Sequence, residues 1–248
     1  MHNAAQEAGV DRETIERLQR ISTATLTMVL LKRGIRRTWM RGPAPVFPDA
    51  PRVVGPAFTV RFVPAREDLA TPESYAKAGS FRDAIEACPA GSIMVIDGCG
   101  TQEAATLGDI LIARLKVNGV VAAVTDAPVR DIAEIRKVGL PVFSAGAAAP
   151  PSITGLAYAG YGELIGCGGV AVAPGDMIVG DADGIVVVPS ALVTEVAEAG
   201  TEQERFERFV QMRVLQNQPV VGLYPPQSEA LATYQRWIAA GEPANWKG

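Results

Sequence analysis

The sequence predicts one mixed α/β domain, with a core sheet that is parallel at its centre and more antiparallel afterwards. Two observations carry that expectation. Between residues 92 and 146, short apolar runs alternate with helical stretches in the order strand, helix, strand, helix, strand. Those runs are apolar on both faces, as strands covered on both sides and joined by right-handed crossovers must be. From 168 to 190 the pattern changes to β-branched runs punctuated by PGD and DADG, which is hairpin turn chemistry. No internal repeat, low-complexity segment or linker divides the chain.

The elements follow in order. Residues 12–33 are predicted helical with a break near Ser22, because Asp11 can cap the start and Ile15, Leu18 and Ile21 recur at helical spacing. Residues 34–52, rich in Pro and Arg, form a loop. VVGPAFTVRFV (53–63) is a strand pair or a bent strand, broken at Gly55-Pro56. A short helix covers 80–88. SIMVID (92–97) is a strand, and a helix runs from Asp109 to Val117 and stops at Asn118-Gly119. VVAAVTD (120–126), DIAEIRKVG (131–139) and LPVFSAG (140–146) give strand, helix and strand. Residues 191–217 form a long amphipathic helix. The domain therefore spans 1–217, and 218–248 is a Pro- and Trp-containing tail, expected to pack on a neighbouring subunit through Trp237 and Trp246.

Composition narrows the function. With 48% hydrophobic and 20% charged residues the chain can bury a core and is too apolar for disorder. A net charge of −4 gives no reason to expect nucleic acid or an acidic membrane surface. No apolar run reaches the roughly 18 residues of a membrane span. The polar start MHNAAQEAGVDRETIERLQR does not read as a signal peptide, so the expected location is the cytoplasm. Cys88, Cys99 and Cys167 have no metal or disulfide spacing and are expected to be buried or half-buried fillers. The one histidine, His2, is expected in a loose terminus, which excludes Ser-His-Asp and Cys-His triads, zinc-His sites and histidine acid/base catalysis.

The stretch DAPVRD (126–131) crowds two acids and an arginine beside a proline where a buried strand ends. Asp131 can cap the helix from Ile132, with Glu134 at capping-box spacing, and Asp109 can cap the helix that precedes the strand. Arg130 is then a solvated side chain. Equally, ligands of open parallel sheets bind beyond the carboxyl ends of strands, where the free amides of Ile110 and Leu111 can hold a carboxylate. On the residues alone both readings stand. Other conspicuous residues carry less. Gly98-Cys99-Gly100 lacks any phosphate-loop pattern and reads as a tight turn. Asp176, Asp181 and Asp183 lack calcium-loop spacing and read as hairpin turns. The five basic residues from Lys32 to Arg41 read as a solvated or interface loop.

GDILIARLKVNGVVAAVTDAPVRDIAEIRKVGLPVFSAG (108–146) resembles the RraA-like family, which includes the class II 4-hydroxy-4-methyl-2-oxoglutarate (4-carboxy-4-hydroxy-2-oxoadipate) aldolases. Supporting matches are STATLTMVLLKRG (22–34), VVGPAFTV (53–60), MVIDGCG (94–100) and GGVAVAPGDMIVGDADGIVVVP (168–189), so the resemblance covers roughly residues 15–195. It implies a single-domain αββα-type sandwich with a mixed sheet, assembled as a homotrimer or hexamer. It also implies Mg²⁺ or Mn²⁺ and pyruvate-forming chemistry. By that resemblance Asp131 is the direct metal ligand, Arg130 binds the keto oxygen and stabilises the enolate, and Asp109 holds a water ligand of the metal. Gly108 and the amides of Ile110 and Leu111 receive the substrate carboxylate. Three positions depart from the family pattern: Ala127-Pro128 in place of a glycine-containing turn, Thr154 where the aldolases carry a lysine, and Met28 where relatives carry Asp. Thr154 favours oxaloacetate-type decarboxylation over cleavage of a substrate with a distal carboxylate.

The expected function is therefore a divalent-metal-dependent lyase acting on small 2-oxo acids, by retro-aldol cleavage or decarboxylation through a pyruvate enolate. The alternative is a non-catalytic protein that binds and regulates a ribonuclease complex. A methyltransferase reading fails for want of a glycine-rich nucleotide loop with a downstream acid.

Overall fold

The central strands are apolar on both faces because each face meets a different layer. The computed structural model describes residues 9–75 and 77–246; the expected loose terminus around His2 falls outside them. In chain order the elements are α1 (Arg12–Leu18), α2 (Thr23–Leu31), β1 (Ala44–Pro45), β2 (Val53–Pro64), α3 (Phe81–Ala87) and β3 (Ile93–Asp97). Then come α4 (Asp109–Val117), β4 (Ala122–Thr125), α5 (Ile132–Val138), β5 (Val142–Ser144), β6 (Leu156–Tyr161), β7 (Ile165–Cys167) and β8 (Val170–Val172). β9 (Met177–Asp181), β10 (Gly184–Val188), α6 (Val193–Leu215) and α7 (Ser228–Ala239) complete the chain. No helix among the described residues is long and apolar enough to cross a membrane.

The main sheet runs β1-β5-β4-β3-β2-β9-β10, with β6 paired to β2. β3, β4 and β5 are parallel and β9 and β10 antiparallel, as the sequence predicts, and β2 adds a further parallel strand beside β3. Trp39 bridges to Val186 of β10 just before the chain enters β1 on the opposite edge, so segment 39–45 nearly closes the sheet on itself.

Alternation sorts the side chains. Ile93 and Val95 of β3, Ala122 and Val124 of β4, Ile178 of β9, and Ile185 and Val187 of β10 fill the interior, together with Phe143 and the β7–β8 hairpin. Met94 and Ile96 of β3 and Ala123 of β4 face outward under α3, α4 and α5. Met177, Val179, Val186 and Val188 face outward under α1, α2 and α6. The result is a helix layer on each side of a folded-over mixed sheet, the predicted αββα arrangement.

Local chemistry sets the boundaries. Asp11 accepts from the Thr14 amide at 2.6 Å and starts α1. Ser22 accepts from the Thr25 amide at 3.1 Å and starts α2, which accounts for the predicted break.

Three expectations need correction. Gly55-Pro56 does not break β2, which continues for 12 residues. Gly55 lets the chain pass close to the Gly91 carbonyl, 2.9 Å from where a Cβ would sit, and Pro56 is the last residue paired with β9. Trp237 of the 218–248 stretch does not reach for a neighbouring subunit: α7 packs Tyr234 and Trp237 against Phe206, Phe209 and Val210 of α6 within the same chain. Cys88 and Cys167 are buried fillers, but Cys99 is exposed.

Candidate active site

Parallel pairing of β3, β4 and β5 brings their carboxyl ends to one side, and the chain that leaves each of them is tied to the others. The Thr106 amide donates to the Pro128 carbonyl at 3.0 Å, and the Arg130 amide to the Leu107 carbonyl at 3.0 Å. On the other edge, the Val129 amide donates to Gly146 at 3.0 Å and the Ala148 amide to Val129 at 3.1 Å. The hexapeptide DAPVRD is thus an extra strand-like rung between the loops after β3 and β5. Pro128, lacking an N–H, still contributes its carbonyl.

The two acids of the hexapeptide have opposite fates. Asp126 is buried; Oδ1 accepts from the Gly98 amide at 2.8 Å and Oδ2 from the Gly168 amide at 3.1 Å. Burial pushes its carboxyl above the usual carboxylate range, against the pull of those amides. It is a structural clasp between two loops. Asp131 is exposed and left-handed, at φ 62 and ψ 39, and its side chain makes no capping bond. The capping-box reading of Asp131 is therefore wrong: the amide of Glu134 bonds the Asp131 carbonyl instead, and Glu134 pairs with Lys137. Its side chain turns the other way, with Oδ2 3.2 Å from Arg130 Nε. A non-glycine residue held at positive φ is strained by about 1 kcal/mol or more, and such residues collect at functional sites.

Asp109 also fails as a cap, since it is the first residue of α4 and Gly108 occupies the capping position. Gly108 offers no side chain, and no hydrogen bond caps the helix. The amides of Ile110 and Leu111 find no acceptor among the described residues, so α4 presents free N–H groups. Gly108 serves a second purpose. A Cβ there would lie 2.6 Å from Asp131 Oδ2 and 3.1 Å from Arg130 Nε. Only glycine lets the start of α4 approach the Arg130–Asp131 pair so closely.

Gly108, Asp109, Ile110, Leu111 and Arg130 line one cavity of 390 Å³. Asp131 lies outside the lining and is joined to it through Arg130 and Gly108. The sequence-predicted residues therefore converge on one place. Sequence reasoning missed other residues of the lining: Tyr75, Phe81, Arg82, Ser152 and Ile153. They come from a 3₁₀ turn, α3 and the turn before β6, and no motif links them. Tyr75 bonds Ser152 through their hydroxyls. Burial pushes the Tyr75 phenol up, against the Ile153 amide and the charges of Arg82 and Arg130. Thr154 faces solvent, bonds the Pro151 carbonyl and does not line the cavity.

Among the described residues no three His, Cys, Asp or Glu side chains cluster as a metal cage. A single carboxylate, Asp131, with Oδ2 on Arg130 and no partner for Oδ1 among the described residues, suits a hard cation that keeps most of its water, such as Mg²⁺ or Mn²⁺. The other acid-rich segment is satisfied internally. Asp176 accepts from the amides of Ala173 and Ser190, and Asp181 from Thr23, Arg52 and the Asp183 amide, so these are turn residues as predicted. The basic loop is tied down likewise, with Arg33 on Glu195 and the Trp39 indole on the Asp183 carbonyl.

Known proteins resemble this chain in sequence and in fold. The RraA-like family model, described as Aldolase/RraA, matches residues 20–187. A Halalkalibacterium halodurans protein provisionally named 4-hydroxy-4-methyl-2-oxoglutarate aldolase is 31% identical over 176 residues, 70% of this chain and 77% of that one. The crystal structure of Streptomyces coelicolor RraAS2, described as an unusual member of the RNase ES inhibitor RraA protein family, superposes with a TM-score of 0.73 at 32% identity. It covers 82% of this chain and 97% of its own. An uncharacterized Pseudomonas syringae protein superposes with a TM-score of 0.75 at 26% identity, covering 85% and 92%. The chain belongs to the RraA-like family.

Proposed function

We propose that the protein is a divalent-metal-dependent lyase that cleaves small 2-oxo acids, by retro-aldol reaction or by oxaloacetate-type decarboxylation. The observation that carries this reading is the convergence of Gly108, Arg130 and strained Asp131 at the edge of a cavity that also exposes the free amides of α4. The aldolase names of relatives at about 30% identity support it.

Mg²⁺ or Mn²⁺ held by Asp131 would supply Lewis acidity toward a 2-oxo acid. The remaining work falls to the chain. The amides of Ile110 and Leu111 receive the substrate carboxylate, with the positive end of α4 behind them. Arg130 faces the keto oxygen, which gains a full charge when the bond beyond C3 breaks. Its guanidinium is therefore worth more in the transition state than in the ground state. Asp131 keeps the guanidinium in place through its Nε. In a retro-aldol step Asp109, through an intervening water, accepts the proton of the C4 hydroxyl; a proton then returns to C3 of the enolate to give pyruvate. No histidine is needed. The same reading includes assembly as a homotrimer or hexamer.

The test is pyruvate formation from oxaloacetate and from 4-hydroxy-4-methyl-2-oxoglutarate with Mg²⁺ or Mn²⁺. Activity should vanish with chelator and return with metal, and Asp131→Ala should lose more than the roughly 100-fold typical of residues that merely support a metal ligand. Turnover indifferent to both chelator and Asp131→Ala sinks the reading. A second reading, a non-catalytic regulator of a ribonuclease complex, is favoured by the likeness to RraAS2. Capture of such a complex by a protein with no metal-dependent turnover would select it.

A further inference from the structure

We propose that Arg82, Tyr75 and Ser152 form a second polar subsite in the same cavity, which selects 2-oxo acids carrying an apolar middle and a terminal acidic group. The proposal rests on the functional reading above for the role of Arg130.

Two arginines line the cavity, Arg130 from the chain that follows β4 and Arg82 from α3. Arg82 is held in place rather than loose. Its Nη1 donates to the Tyr75 carbonyl, and its guanidinium lies 5.4 Å from the centroid of the Tyr75 ring. No carboxylate pairs with it among the described residues, unlike Arg66, Arg114 and Arg136, each of which has a partner. A positioned guanidinium with no anion, on the wall of a pocket, is a ready binding group for a carboxylate. Beside it the Tyr75 and Ser152 hydroxyls bond each other and can each reorient to donate.

Much of the remaining lining is apolar, including Pro72, Phe81, Leu111, Pro151 and Ile153. A chain of methylenes or an alkyl-substituted carbon would be favoured there by burial, whereas a polar middle would lose its hydration. Thr154 points elsewhere and cannot contribute. The cation missing at that position is thus supplied from another element, which reverses the expectation that a distal carboxylate is disfavoured.

The test separates binding from turnover. With Mg²⁺ present, titration calorimetry compares 2-oxoadipate with 2-oxohexanoate, which differ in the distal carboxylate, on the full-length protein and on Arg82→Met and Arg82→Lys. The unsubstituted protein should bind 2-oxoadipate about tenfold or more tightly, in keeping with a charge-assisted contact. Arg82→Met should erase that preference and leave 2-oxohexanoate unchanged, while Arg82→Lys keeps part of it. Arg82 is exposed, so circular dichroism should show all three folded. A preference that survives in Arg82→Met, a protein with no preference, or no binding of either acid overturns the subsite. If the preference is found and depends on Arg82 but no 2-oxo acid is ever cleaved, the subsite stands and the lyase reading falls. If cleavage occurs with no preference, the reverse holds.

Discussion

Two acid-rich segments, 176–183 around β9 and 108–131 around α4 and β4, behave differently. In 176–183, Asp176 and Asp181 are satisfied within the chain: Asp181 accepts from the Thr23 amide at 2.9 Å, the Thr23 hydroxyl at 2.7 Å and the Asp183 amide at 3.0 Å. In 108–131, groups are left over. Asp131 caps nothing, Gly108 caps nothing, and the amides at the start of α4 have no acceptor. The first segment fastens α2 to the sheet. The second keeps polar groups uncommitted at the mouth of a cavity, at the expense of a left-handed backbone at Asp131. Leftover polarity held at some strain is what separates a site from a turn.

The sharpest way to break that comparison is Asp131→Gly. Glycine accepts φ 62 without strain and loses about as much again in chain entropy, so stability should change by no more than about 1 kcal/mol. Turnover should fall below detection. A stable variant that keeps its activity would make Asp131 a turn residue like Asp183. Arg130→Met comes next, with an expected loss of about 100- to 1000-fold in kcat, the range for removing one donor to a developing oxyanion. Gly108→Ala follows. Its Cβ would meet Asp131 Oδ2 at 2.6 Å and must push the pair aside, and a displacement of about 1 Å costs on the order of 100-fold. Thermal denaturation should find the Gly108→Ala fold intact, because the crowding falls on exposed side chains.

The opposite segment should give the opposite result. Asp181→Ala leaves the buried Thr23 amide and hydroxyl without an acceptor and removes the anion facing Arg52, whose Nε is already buried without a partner. The expected cost is about 2–3 kcal/mol in chemical denaturation, with kcat unchanged in the folded fraction. A loss of turnover without a loss of stability would mean that the two segments are not functionally distinct.

This contrast also marks what was legible in the sequence. The strand–helix alternation from 92 to 146 and the PGD and DADG turns placed the sheet, because periodicity and turn chemistry are local properties. Gly108, Asp109, Arg130 and Asp131 came together because parallel strands deliver their carboxyl ends to one side. What local pattern cannot show is whether a cap is used: Asp131 with Glu134 three residues on looks like a capping box, yet pairing with Leu107 and Gly146 fixes the chain in a conformation that turns the side chain to Arg130 instead. Tyr75, Arg82 and Ser152 were invisible for a related reason, being brought together by the packing of α3 and the turn before β6. α7 was missed because Pro219, Pro225 and Pro226 ahead of it suggest irregular chain, while its apolar residues find a partner only in α6.

The smallest effect concerns the thiols, and it tests whether the rim of the sheet is as open as the 108–131 segment. Cys88 and Cys167 are buried, and burial pushes both thiols up, Cys88 to about 11. Cys99 is exposed at the carboxyl end of β3, yet partial burial and the charges of Asp97 and Asp126 raise its thiol as well. Since the thiolate is the reactive form, a raised value lowers its population at neutral pH. In the native protein a disulfide reagent at pH 8 should therefore modify one thiol per chain, more slowly than it modifies glutathione, and all three in denaturant. Because the group's folded value lies above its unfolded one, its titration favours the fold below the unfolded value, and that contribution is lost as pH rises through the folded one. Reaction faster than glutathione would mean that Asp97 and Asp126 do not face Cys99, and that the loop joining β3 to the site is arranged differently from the clasp described for Asp126.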